Sequence, residues 1–140
     1  EVVSFFQEFY EDFDAKKADA MLGELSLDKE SKLKSLSKGN REKVQLIMVM
    51  SRKAKLYLLD EPMGGVDPAA RDYILKTIIS NYSEDATVII STHLIQDVEQ
   101  ILDEVVFLKE GKVMLHSDVD ELRMEKEKSV DALFREVFSC

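Results

Sequence analysis

The chain has 140 residues, enough for one ordinary domain, and 45% of them are apolar, so it can bury a sizeable core. Its 28 acidic side chains outnumber 19 basic ones and set a formal net charge of −9, which disfavours a general nucleic-acid-binding surface, because phosphate neutralisation needs clustered Lys and Arg. The one cysteine, Cys140, cannot close an internal disulfide and suits a reducing cytosolic compartment, and the longest apolar run, 46–50, is far shorter than the roughly 20 residues that cross a bilayer.

The chain opens on Glu1 with no basic-then-apolar leader, and reads as an excised piece of a longer protein rather than a secretory precursor. Val2, Phe5, Phe6, Phe9, Tyr10 and Phe13 recur at helical spacing, and Ala18, Met21, Leu22 and Leu25 do so after a polar stretch, predicting two amphipathic helices whose aromatic stripe is ordinary core. A charged segment covers 28–34. The apolar run 44–50 then follows a polar first turn, as in a helix that starts exposed and becomes buried.

Residues 56–59 are too few for a helix and end in the carboxylate pair Asp60-Glu61, so they predict a buried strand. Asp67 before Pro68 is an N-cap followed by the residue best suited to the first helical position, opening a helix with Ile74, Leu75, Ile78 and Ile79 on its inner side. The β-branched run 87–91 is the next strand. A helix carrying Leu94, Val98, Ile101 and Leu102 leads to a strand at 105–108, and Glu110-Gly111 turns the chain into another at 113–115. Ser117 and Ser129 read as caps of two further helices, the last with Val130, Leu133, Phe134, Val137 and Phe138 on one face in need of a docking surface. The mixed-charge run 123–128 reads as a solvated face or linker. Strand alternating with helix argues for an α/β layer with at least two parallel strands.

Three short segments carry chemistry. A strand ending in Asp60-Glu61 delivers adjacent carboxylates to the carboxyl edge of a sheet, where open α/β folds keep their ligands. One, Asp60, can hold Mg²⁺ through water while triphosphate oxygens fill its shell; the other, Glu61, can deprotonate an attacking water, a general-base contribution of roughly 10²- to 10⁴-fold. The bland alternative is an acidic strand-to-loop corner. Ser37, Lys38, Gly39 and Asn40 lie where a loop becomes a helix, so free N–H groups and the positive end of the helix dipole converge there; equally, Ser37 can simply cap the helix with Asn40 replying three residues on. His93 follows Ser91-Thr92 at a strand-to-helix junction, whereas His116 reads as merely exposed.

The order Leu36-Ser37-Lys38-Gly39-Asn40, then Leu56 through Pro62, then Gly64-Gly65-Val66-Asp67-Pro68, then Ser91-Thr92-His93 resembles the nucleotide-binding subunit of an ABC transporter over about 31–115, with weaker likeness on the flanks. The resemblance implies a partial P-loop NTPase-like sheet with flanking helices, preceded by part of the helical subdomain. It divides the chain into a helical part with the signature helix (1–50), an α/β core with Walker B, D-loop and switch histidine (51–116) and a C-terminal helical extension (117–140). It implies ATP and Mg²⁺ as cofactors, Asp60 at the metal, Glu61 and His93 as catalytic groups, and Ser37, Lys38, Gly39, Asn40 and Asp67 around nucleotide shared between two subunits. Lys38 and Asn40 stand where the family's LSGGQ signature has Gly and Gln, and Gly65 where Ser or Ala is commoner in the D-loop.

No GxxxxGK[ST] loop occurs in the chain, so it is expected to bind ATP poorly and turn over none by itself, whereas an intact subunit would hydrolyse ATP. The implied partners are a second nucleotide-binding subunit and a transmembrane permease, without nucleic acid, and the implied place is the cytoplasmic face of the membrane. Three rivals share these motifs: the head of a DNA-repair or chromosome-maintenance ATPase, a translation-associated soluble relative, and a non-enzymatic interaction module that keeps the motifs as scaffold. Long heptads would mark the first and a basic linker the second, and neither is visible.

Overall fold

A computed structural model describes residues 1–25 and 31–138. Part of the charged stretch expected over 28–34, and Cys140, lie outside these residues. The chain divides into two compact units, Glu1–Thr92 and His93–Cys140.

The first unit opens with α1 (Val2–Phe9) and α2 (Ala15–Glu24), which Asp14 caps by accepting from Lys17 N at 3.0 Å. A single 3₁₀ turn, Leu33–Ser35, precedes α3 (Lys38–Met50), whose last two turns bury Val44, Leu46, Ile47, Met48 and Met50. Phe13, Ala18, Met21, Ile47 and Met48 form a core between the helices, with Val2, Phe6 and Tyr10 packed against it. The aromatic stripe is only half core: Phe5 and Phe9 are 59% and 68% exposed and stack on each other at 5.8 Å. Aromatics at 5, 6, 9 and 10 span more of the helix circumference than one supporting surface can cover, so the half-buried Phe6 and Tyr10 pack with the buried Phe13 and the 5/9 side is left out.

Next come β1 (Leu56–Asp60), α4 (Pro68–Asn81) and β2 (Thr87–Ser91). The strands pair in parallel, Leu56 opposite Thr87 through Asp60 opposite Ser91. β1 is not fully buried as expected. Tyr57 and Leu59 point inward, while Leu56, Leu58 and, on β2, Ile89 stand 50%, 68% and 53% exposed, because helices cover one face of this two-stranded layer. Ile74 and Ile78 form the inner side of α4 as predicted, but Ile79 is 46% exposed.

In the second unit α5 (Ile95–Val98) runs into a 3₁₀ turn, Glu99–Ile101, and Ile95 rather than Leu94 is the inward residue. β3 (Glu104–Lys109) and β4 (Lys112–Asp118) form an antiparallel hairpin closed by Glu110 and Gly111, both at positive φ (51° and 74°), the backbone that a tight two-residue turn between twisted strands demands. α6 (Val119–Lys126) is capped by Asp118, which accepts from Asp120 N and Glu121 N; the expected cap, Ser117, is one residue early. A carboxylate reaches both N–H groups and carries charge that suits the dipole. Ser129 does cap α7 (Val130–Phe138), accepting from Ala132 N at 3.1 Å. The docking surface that α7 needs is the hairpin: Phe107 meets Phe134 and Phe138 edge-on, within a core of Ile95, Val105, Val119, Leu122, Val130 and Leu133. Among the described residues no helix is long and apolar enough to cross a membrane.

Candidate functional site

The parallel pairing of β1 and β2 brings the carboxyl ends of both strands to one edge, so Asp60-Glu61 and Ser91-Thr92 lie side by side. Glu61 N donates to Ser91 O at 2.8 Å, carrying the register one residue past the strand. The Ser91 hydroxyl donates to Asp60 Oδ1 in a short hydrogen bond, and Thr92 Oγ1 donates to Glu61 Oε2 at 3.3 Å. Glu61 itself has φ 43°, left-handed backbone that costs a side-chain-bearing residue on the order of 1–2 kcal/mol and that clusters at functional sites. A turn back, Gly64 N to Glu61 O at 2.9 Å, holds it there. Beside this edge is a hollow of about 200 Å³ lined by Leu58, Leu59, Asp60, Ile89 and Ser91.

The second group gathers at two helix starts. Ser37 caps α3 by accepting from Asn40 N at 3.2 Å, and Asp67 caps α4 by accepting from Ala70 N at 3.0 Å. The two starts adjoin: a Cβ built on Gly39 would lie 3.8 Å from Ala70 Cβ and 3.9 Å from Asp67 Oδ2. Lys38, the first residue of α3, runs its side chain across Gly65, where φ is 69° and an added Cβ would collide with Nζ and lie 3.5 Å from Cε. Lys38 and Gly65, two of the three positions that depart from the resembled motifs, therefore touch each other.

His93 follows Thr92 directly, exposed, as the first residue of the second unit. His116 is exposed as expected and pairs with Glu104 at 2.7 Å on the hairpin. Asp60 offers hard oxygen suited to Mg²⁺, and no cluster of three or more metal-ligating side chains occurs among the described residues, so a metal here would draw the rest of its shell from nucleotide oxygens and water. Two groups at the start of α2 titrate below their ordinary values. The Lys17 N–H lowers Asp14, and burial lowers Lys17, whose ammonium donates to Asn81 O at the end of α4 at 2.6 Å. Sequence reading passed over Ser91 and Thr92 except as neighbours of His93; the signal was two hydroxyls in register with two carboxylates, which needs the strand pairing to be seen.

The family profile described as ABC transporter matches residues 3–64. An uncharacterized ABC transporter ATP-binding protein of Methanocaldococcus jannaschii is 36% identical over 111 residues, 77% of this chain and 42% of its own length. The chain belongs to the ABC transporter ATP-binding family. The lantibiotic transport ATP-binding protein SrtF of Streptococcus pyogenes is 33% identical over 63% of this chain and 38% of its own length. Among solved structures, an ATP-binding subunit of an ABC transporter superposes with a TM-score of 0.74 at 28% identity, over 87% of this chain and 53% of that one. Part of the ABC transporter complex cbiONQ from Clostridium perfringens does so with 0.63 at 33% identity, over 80% and 46%. This chain thus spans about half the length of the nucleotide-binding domains it matches, and its β1–β2 layer with α3 and α4 is part of an α/β ABC ATPase fold.

Proposed function

We propose that this chain carries the hydrolytic carboxylates and the signature turn of an ATPase subunit that couples ATP binding and hydrolysis to translocation by a membrane partner. The observation that carries the reading is the Asp60-Glu61 pair at the carboxyl edge of β1, each carboxylate held by a hydroxyl of the next strand and Glu61 kept in costly backbone. In this reading Asp60 would hold Mg²⁺, which would supply charge neutralisation for the triphosphate, and Glu61 accepts a proton from the attacking water. His93 orients that water. Ser37, Lys38, Gly39 and Asn40 present the N–H groups and positive end of α3 to nucleotide held by a second subunit, and Asp67 joins the two sites while capping α4. Two copies closing head to tail make two composite sites. The functional division is 1–50, 51–116 and 117–140, and the working place is the cytoplasmic face of the membrane, against a permease.

The full-length protein that carries this sequence is expected to release phosphate from MgATP, and Glu61→Gln to lower kcat by at least about 100-fold while nucleotide binding persists. Residues 1–140 alone are expected to show no saturable hydrolysis. If Glu61→Gln and His93→Ala in the full-length protein leave phosphate release intact, the carboxylate edge is scaffold and the enzymatic reading fails.

A further inference from the structure

Asp60 closes β1 and Glu61 leaves it in left-handed backbone, and the two carboxylates find separate supports. The parallel register supplies both. Ser91, directly opposite Asp60, points to the same side and engages Oδ1; Thr92, the next residue, points to the other side and reaches Glu61 Oε2 at 3.3 Å. The Glu61 N–H to Ser91 O bond at 2.8 Å fixes the spacing between the two hydroxyl–carboxylate pairs. Glu61 needs such a hold more than most residues. Its backbone turns out of the strand at φ 43°, and its three side-chain torsions would otherwise spread the carboxylate over many rotamers.

We propose that Ser91 and Thr92 are positioning residues, one hydroxyl per carboxylate: Ser91 sets the face that Asp60 offers to the metal, and Thr92 holds Glu61 where a water can give it a proton. This rests on the hydrolytic reading above.

The test is steady-state kinetics on the full-length protein. Thr92→Val keeps the β-branched shape and deletes the donor; kcat is expected to fall about tenfold with KM for MgATP within about twofold. Thr92→Ser, which restores the donor, is expected to recover most of kcat. Ser91→Ala is expected to weaken Mn²⁺ binding to the nucleotide-loaded full-length protein about fivefold, read by electron paramagnetic resonance, and unchanged binding overturns the role of Ser91. Wild-type kcat in Thr92→Val, or a loss that Thr92→Ser fails to repair, overturns the role of Thr92. Should Thr92→Val not fold, Thr92→Ala with the same kcat and KM measurements replaces it. Glu61→Gln tells the two failures apart: if it abolishes hydrolysis while Thr92→Val does not alter it, only the positioning role falls, and if it leaves hydrolysis intact, both fall.

Discussion

Glycines separate what the fold needs from what the chemistry needs. Gly65 is favoured by the chain itself, since its φ of 69° is left-handed backbone that strains a residue with a Cβ. Gly39 is not. It lies in the first turn of α3 with ordinary φ, and a Cβ there would make only normal contacts with Ala70 and Asp67. Gly39→Ala is therefore expected to leave the fold intact and raise its stability by about 0.5 kcal/mol, the usual gain in a helix, while weakening nucleotide-dependent activity several-fold by covering N–H groups that a phosphate would approach. Thermal melting and ATPase assays on the same variant check the two halves. A loss of stability would mean that Gly39 is there for packing.

At the scale of elements, α5 is too short to hold itself, because one or two helical turns do not repay the cost of nucleation. Ile95 and Val98 anchor it in the core, and Glu99 ties it down: its carboxylate accepts from Val130 N at 2.9 Å, Asp131 N at 3.3 Å and both Nε and Nη2 of Arg123 at 3.2 and 3.0 Å. One side chain thus binds α5, α6 and the start of α7. Burial pushes the Glu99 carboxyl up, but the Val130 N–H, the Arg123 guanidinium and the Asp131 N–H outweigh it and hold the group below the ordinary glutamate range. A depressed folded value contributes stability that is complete above roughly pH 5 and is lost as pH falls through the folded value. Glu99→Gln is expected to cost about 2 kcal/mol at neutral pH, since the amide cannot accept from all four donors, and to flatten the acid side of the stability–pH curve. Urea melts at pH 7 and pH 4 measure both; equal destabilisation at the two pH values would show that the charge contributes nothing.

For the whole molecule, the uncovered side of the β1–β2 layer dominates solution behaviour. Leu56, Leu58 and Ile89 form an exposed apolar strip on strands whose ladder positions are available to another chain. Residues 1–140 are expected to self-associate at micromolar concentration, and Leu58→Lys with Ile89→Lys to shift sedimentation toward monomer; unchanged sedimentation would place the contact elsewhere. This face also marks where sequence reading stopped. The run 56–59 is as apolar as a strand buried on both sides, and nothing within it says which side this chain covers. The caps at Asp67 and Ser129, the polar-then-buried α3 and the hairpin at Glu110-Gly111 were legible because local chemistry sets them. The cap at Asp118, the exposure of Phe5 and Phe9, the left-handed Glu61 and the pairing of Ser91 and Thr92 with the carboxylates depend on tertiary neighbours, which local pattern does not encode.

Just upstream of β1, Arg52 grips the corner between α1 and α2: its guanidinium is bidentate to Asp12 at 3.0 and 3.1 Å and lies 3.9 Å from the centre of the Tyr10 ring, while Lys53 N donates to Asp12 O and Asp14 N to Ser51 O. Tyr57, inside β1, donates to Arg52 O at 2.5 Å. These bonds tie the helical pair to the backbone that leads into the strand bearing the acidic residues. Displacing either helix must therefore stretch or break bonds made by the segment that enters β1.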